Sequence, residues 1–235
     1  MEGKSMPERA IGDVVLAGAG APDKAGASAP KPRSMDREAW NRRYATAAFL
    51  WTVEANRFLV VEVANLRPGR ALDLATGEGR NAVWLAEQGW DVLAVDFAEA
   101  GLQKGRRLAA ARGVVERIRY EAADLRTYLP EAQGFDLVAL IYLQIPQAEL
   151  LPILSRAARA VAPGGTFLLV AHDSANLAHG FGGPQDPEVL YTAAQVVAAV
   201  GDQLVIDKAQ TVERTVETAD GTRVAIDCLV RARRA

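Results

Sequence analysis

Blocks of apolar residues separated by polar turns run through the middle of the chain, and their period switches between two kinds. Residues 71–75, 91–95, 118–121, 135–140 and 166–171 are short runs rich in Val, Leu, Ile and Ala, which read as buried strands. Between them lie stretches with helical spacing. One covers 81–88 and stops at Gly89, and another covers about 98–112 and stops at Gly113. A third is opened by Pro146, places Leu150, Leu154, Ala157, Ala158 and Val161 on one face, and is ended by Pro163-Gly164-Gly165. Strands alternating with helices imply crossover connections and parallel pairing. The expected fold is therefore α/β, a doubly wound, mostly parallel sheet with helices on both faces.

The pattern changes at both ends. Asp36 is placed to cap a short helix carrying Trp40 and Tyr44. A second helix is expected over roughly 53–66, with Ala55, Leu59, Val63 and Leu66 as its stripe and Pro68-Gly69 as its stop. After a helix over about 193–200, two long strands flank Asp220-Gly221, a pair suited to the positive φ angles of a type I′ turn. Val224, Ile226, Cys228 and Val230 then share one face, so the sheet is expected to finish in an antiparallel hairpin. Residues 1–34 are rich in Ala, Gly, Pro, Lys and Ser and hold too few large apolar groups to repay ordering; they are expected to form a disordered leader. The weak apolar stretch 11–21 is broken by Asp13 and does not read as a secretion signal. The folded unit is expected over 35–235, with about 35–66 as a helical lid.

Composition narrows the function. The chain has 235 residues, half of them hydrophobic, and a formal net charge of -2. That balance leaves no electrostatic footprint for nucleic acid. Cys228 is the single cysteine, so no internal disulfide forms, as suits a reducing cytoplasm. No apolar run is long enough to span a membrane. The loop 181–187 has no spaced His/Cys cluster, and no metal site is expected. A small-molecule partner fits best; monomer and homodimer are both compatible with the sequence.

Three strand ends carry aspartates. Asp73 precedes a loop in which Gly77 and Gly79 let a ligand approach the backbone before a helix N-terminus. A carboxylate there repels pyrophosphate and suits an ammonium group. Asp96 closes the second strand, where an acid can accept ribose hydroxyls. Asp124 follows the third and can accept from an adenine amino group. Singly, each has an ordinary alternative: a helix cap, a turn cap or an arginine pair. At the ends of three successive strands they point together to a cofactor.

These residues resemble the motifs of the class I methyltransferases that use S-adenosylmethionine (SAM). Asp73-Leu-Ala-Thr-Gly-Glu-Gly79 is similar to the first motif, Val95-Asp96-Phe97 to the second, Ala123-Asp124-Leu125 to the third and Phe135-Asp136-Leu137-Val138 to the fourth strand. The resemblance implies SAM as cofactor, with S-adenosylhomocysteine as its product. It also implies strand order 3-2-1-4-5-7-6 with strand 7 antiparallel, and a cofactor site of Asp73, Ala75, Gly77, Gly79, Asp96, Phe97, Ala123, Asp124, Leu125 and Ile141. Trp40, Arg43-Tyr44, Trp51, Asn56-Arg-Phe-Leu59, Gly77-Glu-Gly-Arg-Asn81, His172-Asp173 and 182–187 resemble the tellurite-resistance and thiopurine methyltransferase-like group. Ala75 and Thr76 depart from the residues frequent there.

Methyl transfer is an in-line displacement that needs alignment and desolvation. A thiolate or reduced chalcogenide needs no base, whereas a phenol or ring nitrogen can need one. His172, directly after the fifth strand, is the candidate base, with a loop hydrogen bond as its ordinary alternative. Tyr142, after the fourth strand, either orients substrate or fills space. Trp40, Arg43, Tyr44 and Trp51 are expected either as a lid over the acceptor and sulfonium or as an amphipathic helix face. No Asn-Pro-Pro-aromatic run follows the fourth strand, where Ile141-Tyr-Leu-Gln-Ile-Pro146 stands, which favours a small acceptor. Two other functions share the pattern: a nicotinamide-dependent oxidoreductase, whose glycine motif is only partly present, and a non-catalytic SAM-binding sensor.

Overall fold

The computed structural model describes residues 35–46 and 48–235. The expected leader over 1–34 lies outside them. Two short helices, α1 (Arg37–Tyr44) and α2 (Arg57–Val63), precede the sheet. Then follow β1 (Arg70–Leu74), α3 (Arg80–Glu87), β2 (Asp91–Asp96), α4 (Glu99–Arg112), β3 (Ile118–Ala122), β4 (Phe135–Ile141), α5 (Gln147–Ala160) and β5 (Val161–His172). The chain closes with α6 (Asn176–His179), α7 (Ala193–Val200), β6 (Val205–Thr218) and β7 (Gly221–Arg233). The seven strands form one sheet in the order β3-β2-β1-β4-β5-β7-β6. Strands β1 to β5 pair in parallel, while β7 is antiparallel to both β5 and β6. The expected doubly wound sheet and its order are thus observed.

Alternation along each strand feeds two cores. Leu72, Leu74, Val138, Leu140, Phe167, Leu169, Cys228 and Val230 face Leu150, Leu154 and Ala157 of α5 and Val196 and Val200 of α7. The opposite face sends Ala71, Val92, Ala94, Leu137, Ala139, Leu168, Val170 and Leu229 against Leu59, Ala82, Leu85 and Leu108 of α2, α3 and α4. Each large apolar side chain so enclosed contributes roughly 1.5–3 kcal/mol. With both faces covered, loops at the carboxyl ends of the strands are where a ligand meets the sheet.

Local chemistry sets the element ends. Asp36 caps α1 as expected, accepting from the Ala39 amide at 2.7 Å. Helix α2 is shorter than the expected 53–66, because Asn56 takes the cap position and accepts from the amides of Phe58 and Leu59. Helix α5 stops at Ala160, since Val161 already pairs with Phe135; the register then slips before Leu137 pairs with Thr166. The hairpin turn differs from the expected type I′. Thr218 pairs with Gly221, and Gly221 (φ 106°) alone in the turn takes positive φ, so Ala219 and Asp220 are its central residues. Only the base of the hairpin joins the sheet: β7 pairs with β5 from Asp227 to Arg233, and β6 is a free edge of the described sheet. Val224 is consequently exposed, although Cys228 and Val230 of the same face are fully buried. Among the described residues no helix is long and apolar enough to cross a membrane.

Candidate active site

The loop after β1 is built on left-handed backbone. Ala75 (φ 59°), Gly77 (φ 57°) and Gly79 (φ 78°) all take positive φ, which alternate residues of this turn need to bring its amides over the strand end. Glycine is required at Gly79 for a second reason. A Cβ there would lie 2.8 Å from the Gly105 Cα of α4. The approach of α4 is equally tight at Gly101, where a Cβ would sit 2.6 Å from the Gly77 carbonyl oxygen and 3.1 Å from the Tyr44 ring. Gly101→Ala is therefore expected to cost about 1–3 kcal/mol through overpacking. A urea midpoint equal to that of the wild type would contradict this packing.

Asp73 is buried beneath that loop. The Thr76 hydroxyl donates to its Oδ2 at 2.6 Å, while Oδ1 is enclosed with no hydrogen-bond partner. Burial, opposed by the Thr76 bond and reinforced by Asp96, pushes the carboxyl up to about 7. Asp96 is also buried and accepts from the Gly77 amide (2.9 Å) and the Ala98 amide (2.8 Å), so it ties β2 to the glycine loop; burial raises its carboxyl as well. Asp124 stands differently. Arg126 grips it with Nε and Nη2 at 2.9–3.1 Å and its own amide, and this holds the carboxyl below the ordinary value. Phe97 and Ala123 are half-buried, and Leu125 and Ile141 buried, at the ends of β2, β3 and β4. The Ala123 amide donates to the Asp96 carbonyl, which joins the ends of β2 and β3.

The aromatic residues before the sheet lie over this loop. Tyr44 is buried, and its hydroxyl is 3.0 Å from where a Cβ of Gly77 would be; burial and the nearby Asp96 raise its phenol. Trp40 stacks on Tyr44 with ring centres 5.2 Å apart, and the Arg43 guanidinium lies over both Trp40 (5.3 Å) and Trp51 (5.5 Å). Asn41 accepts from the Ala100 amide at 2.9 Å, fastening α1 to α4.

Two residues that the sequence reading quoted within its motifs without giving them a role secure the arrangement. Glu78, between the loop glycines, is 2% exposed and accepts from the Leu50 and Trp51 amides and from Lys104 of α4, whose Nζ is 2.8 Å away. An acid between two glycines was a visible signal, but its partners lie on segments remote in sequence. Asn81 likewise accepts from the Asn56 amide.

At the carboxyl ends of β4 and β5 the two candidate catalytic residues meet. The Tyr142 and His172 rings are 4.8 Å apart. Tyr142 takes φ 61°, a strained angle for a bulky residue, and is held by its amide on Val170 and by its hydroxyl, which donates to Asp227 at 2.7 Å. His172 is anchored through its amide, which donates to Gln144. Arg80, at the start of α3, donates to Thr52 and is charge-coupled to both Tyr142 and Arg214; burial lowers its guanidinium. His179 is exposed and joins none of this. No cluster of His, Cys, Asp or Glu suited to a metal occurs among the described residues.

Residues 71–165 match the methyltransferase domain family. The demethylmenaquinone methyltransferase of Clavibacter sepedonicus is 33% identical over 120 residues, which cover 51% of this chain and 46% of that protein. The chain spans about half the length of the curated relatives it matches. Among solved structures, one from work on conversion of a disulfide bond into a thioacetal group in echinomycin biosynthesis has a TM-score of 0.66 at 21% identity, covering 84% of this chain and 92% of that one. TehB from Haemophilus influenzae has 0.65 at 16% identity, covering 85% and 67%. At these identities both are likenesses of fold. The fold and the matched segment are those seen in methyltransferases.

Proposed function

We propose that the protein moves a methyl group from SAM to a small-molecule nucleophile by in-line displacement, as a cytoplasmic enzyme. One observation carries the reading: the buried Asp73 carboxyl beside the glycine loop, raised by desolvation, whose Oδ1 makes no well-aligned hydrogen bond. A buried lone acceptor costs free energy until a donor satisfies it, and an ammonium group does so with charge assistance. As acceptors, Asp73 suits the ammonium, Asp96 the ribose hydroxyls, and Asp124 the adenine amino group once that amino group shares the carboxylate with Arg126. Ala75, Gly77, Gly79, Phe97, Ala123, Leu125 and Ile141 form the walls. When bound, SAM supplies an activated sulfonium methyl. The chain's own work is to align and dry the site: Trp40, Arg43, Tyr44 and Trp51 cover the loop, and Tyr142 and His172 face the acceptor.

The acceptor classes that fit are a thiol, a chalcogen oxyanion or an aromatic heterocycle. Membership of the tellurite-resistance and thiopurine-like group is supported by the fold likeness to TehB and by the lid residues. The relative named for demethylmenaquinone supports a small acceptor. A monomer or homodimer of a folded unit at 35–235 suffices for this chemistry, and the buried Cys228, its thiol pushed up to about 12 by burial, fits a reducing compartment.

The test is a calorimetric titration with SAM, S-adenosylhomocysteine and NADH. Binding of both adenosyl ligands and not NADH is expected; binding of NADH alone would overturn the reading. Asp96→Ala is expected to weaken SAM binding by about 1–3 kcal/mol, since it removes charge-assisted hydrogen bonds and frees the Gly77 and Ala98 amides. An unchanged Kd would remove Asp96 from the site.

A further inference from the structure

Asp227 is fully buried on β7, directly across from His172 of β5. Its two oxygens are divided between partners. Oδ2 accepts from the Tyr142 hydroxyl (2.7 Å) and from Arg214 Nε (2.8 Å). Oδ1 has as its neighbour the Nδ1 of His172 at 3.1 Å; both atoms are enclosed, and neither forms an aligned hydrogen bond, with the other or with any third group. Such contacts at catalytic sites commonly tighten when substrate binds. The imidazole is clamped between the Tyr142 ring and Gly183, where a Cβ would lie 3.1 Å from three ring atoms. Its Nε2 forms no hydrogen bond among the described residues. Of the charged groups on the neighbouring elements, Asp227 of β7 contacts the ring, Arg214 of β6 shares that carboxylate, Arg80 of α3 interacts with Tyr142 and Arg214, and Asp173 follows His172 in the chain.

We propose that Asp227 is a positioning residue that keeps the His172 proton on Nδ1, so that the Nε2 lone pair serves as base for an acceptor that must lose a proton. That acceptor carries a hydroxyl, a phenol or a ring N–H, in place of a thiolate or chalcogen oxyanion. The inference rests on the methyltransferase reading above and revises its acceptor: the ring N–H heterocycle is kept, hydroxyl and phenol acceptors are added, and the thiol and chalcogen oxyanion are dropped. As the acceptor oxygen or nitrogen forms its bond to the methyl carbon, its proton passes to Nε2. The electron pair of the breaking carbon–sulfur bond stays on sulfur, giving the neutral thioether, and Oδ1 faces the imidazolium that results. A ready-made anion needs no base, so with a thiolate the carboxylate would serve only to hold Tyr142 and Arg214.

The geometry makes Asp227→Asn informative. Two donors, Tyr142 and Arg214, converge on the Oδ2 position, so only the amide oxygen fits there. The amide NH2 must then face Nδ1, which becomes an acceptor, and the His172 proton moves to Nε2. The experiment uses the full chain labelled with 15N-histidine; with only two histidines in the sequence, assignment is direct. In the wild type without ligand, Nδ1 is expected to carry the proton, and in Asp227→Asn Nε2 is. Transfer to 2-naphthol and to naphthalene-2-thiol, matched in shape while the thiol ionises far more readily, is then compared. Asp227→Asn is expected to lower kcat on the naphthol by roughly 10²–10⁴-fold with KM little changed, and to leave the thiol nearly unaffected. A wild-type proton on Nε2, an unchanged tautomer in the variant, equal losses on both acceptors, or wild-type transfer to the thiol alone would each overturn the proposal. The wild-type spectrum needs no variant, so it decides the tautomer even if Asp227→Asn unfolds. SAM binding, measured in parallel, fails only if the methyltransferase reading itself fails.

Discussion

Lys104→Met is expected to cost about 3–5 kcal/mol of folding stability, the largest loss from any single change considered. Lys104 is 1% exposed, and its ammonium is shared between Glu78 at 2.8 Å and the Ala48 carbonyl. Methionine fills nearly the same volume, so packing is preserved and the charge alone is lost. Glu78 would then keep a buried carboxylate answered only by the Leu50 and Trp51 amides. Breaking a buried pair from one side is costly because the remaining ion has no water to return to. A second change separates this cause from mere loss of packing. Glu78→Gln in the Lys104→Met background removes the stranded charge while its amide oxygen still accepts from Leu50 and Trp51, so most of the lost stability should return. Urea unfolding of the two variants reads both effects. A Lys104→Met midpoint within about 1 kcal/mol of wild type would mean that Glu78 is solvated by other means.

Affinity for S-adenosylhomocysteine is expected to rise by up to about 100-fold between pH 5 and 7 and then level off, with Asp73 as the cause. Its carboxyl sits at about 7 in the free protein, against an ordinary value of 3.8. This is an acid raised on folding, so the native state holds the extra proton. Between those two values stability falls as pH rises, by an amount on the order of 4 kcal/mol when complete. An ammonium ligand on Oδ1 requires the ionised form and returns part of that cost. Below pH 7 binding must therefore release a proton, which weakens it by at most tenfold per unit of pH. Asp73→Asn should flatten the profile and hold affinity near the wild-type value at low pH. A flat wild-type curve would show that the ligand does not meet this carboxyl.

The sheet was legible because its strands are buried on both faces, and such strands advertise themselves as continuous apolar runs between glycines and prolines. The aspartates were legible for the same reason: Asp73 and Asp96 interrupt or end those runs. What stayed hidden was pairing at long range. Lys104 looks like any charge on a helix, and only the fold buries it under the segment containing Ala48. Asp227 was masked differently. The period-two pattern of Val224, Ile226, Cys228 and Val230 draws the eye to one face of β7, but Ala225, Asp227 and Leu229 on the other face are buried as well. An acid inside a strand with two buried faces was the available signal. The second helix was overextended because helical periodicity says nothing of Asn56, whose side chain fixes the true start.

The free edge of β6 has its own consequence. Along its fourteen residues the side chains exposed to water include Asp207, Glu213 and Glu217, interleaved with threonines. Threonine is at home in a strand, so the edge keeps its extended shape, yet two such edges laid against each other would bring carboxylates of one copy towards those of the next. The open ladder of amides and carbonyls is thus flanked by the carboxylates of Glu213 and Glu217, the kind of charge that disfavours edge-to-edge pairing of like strands.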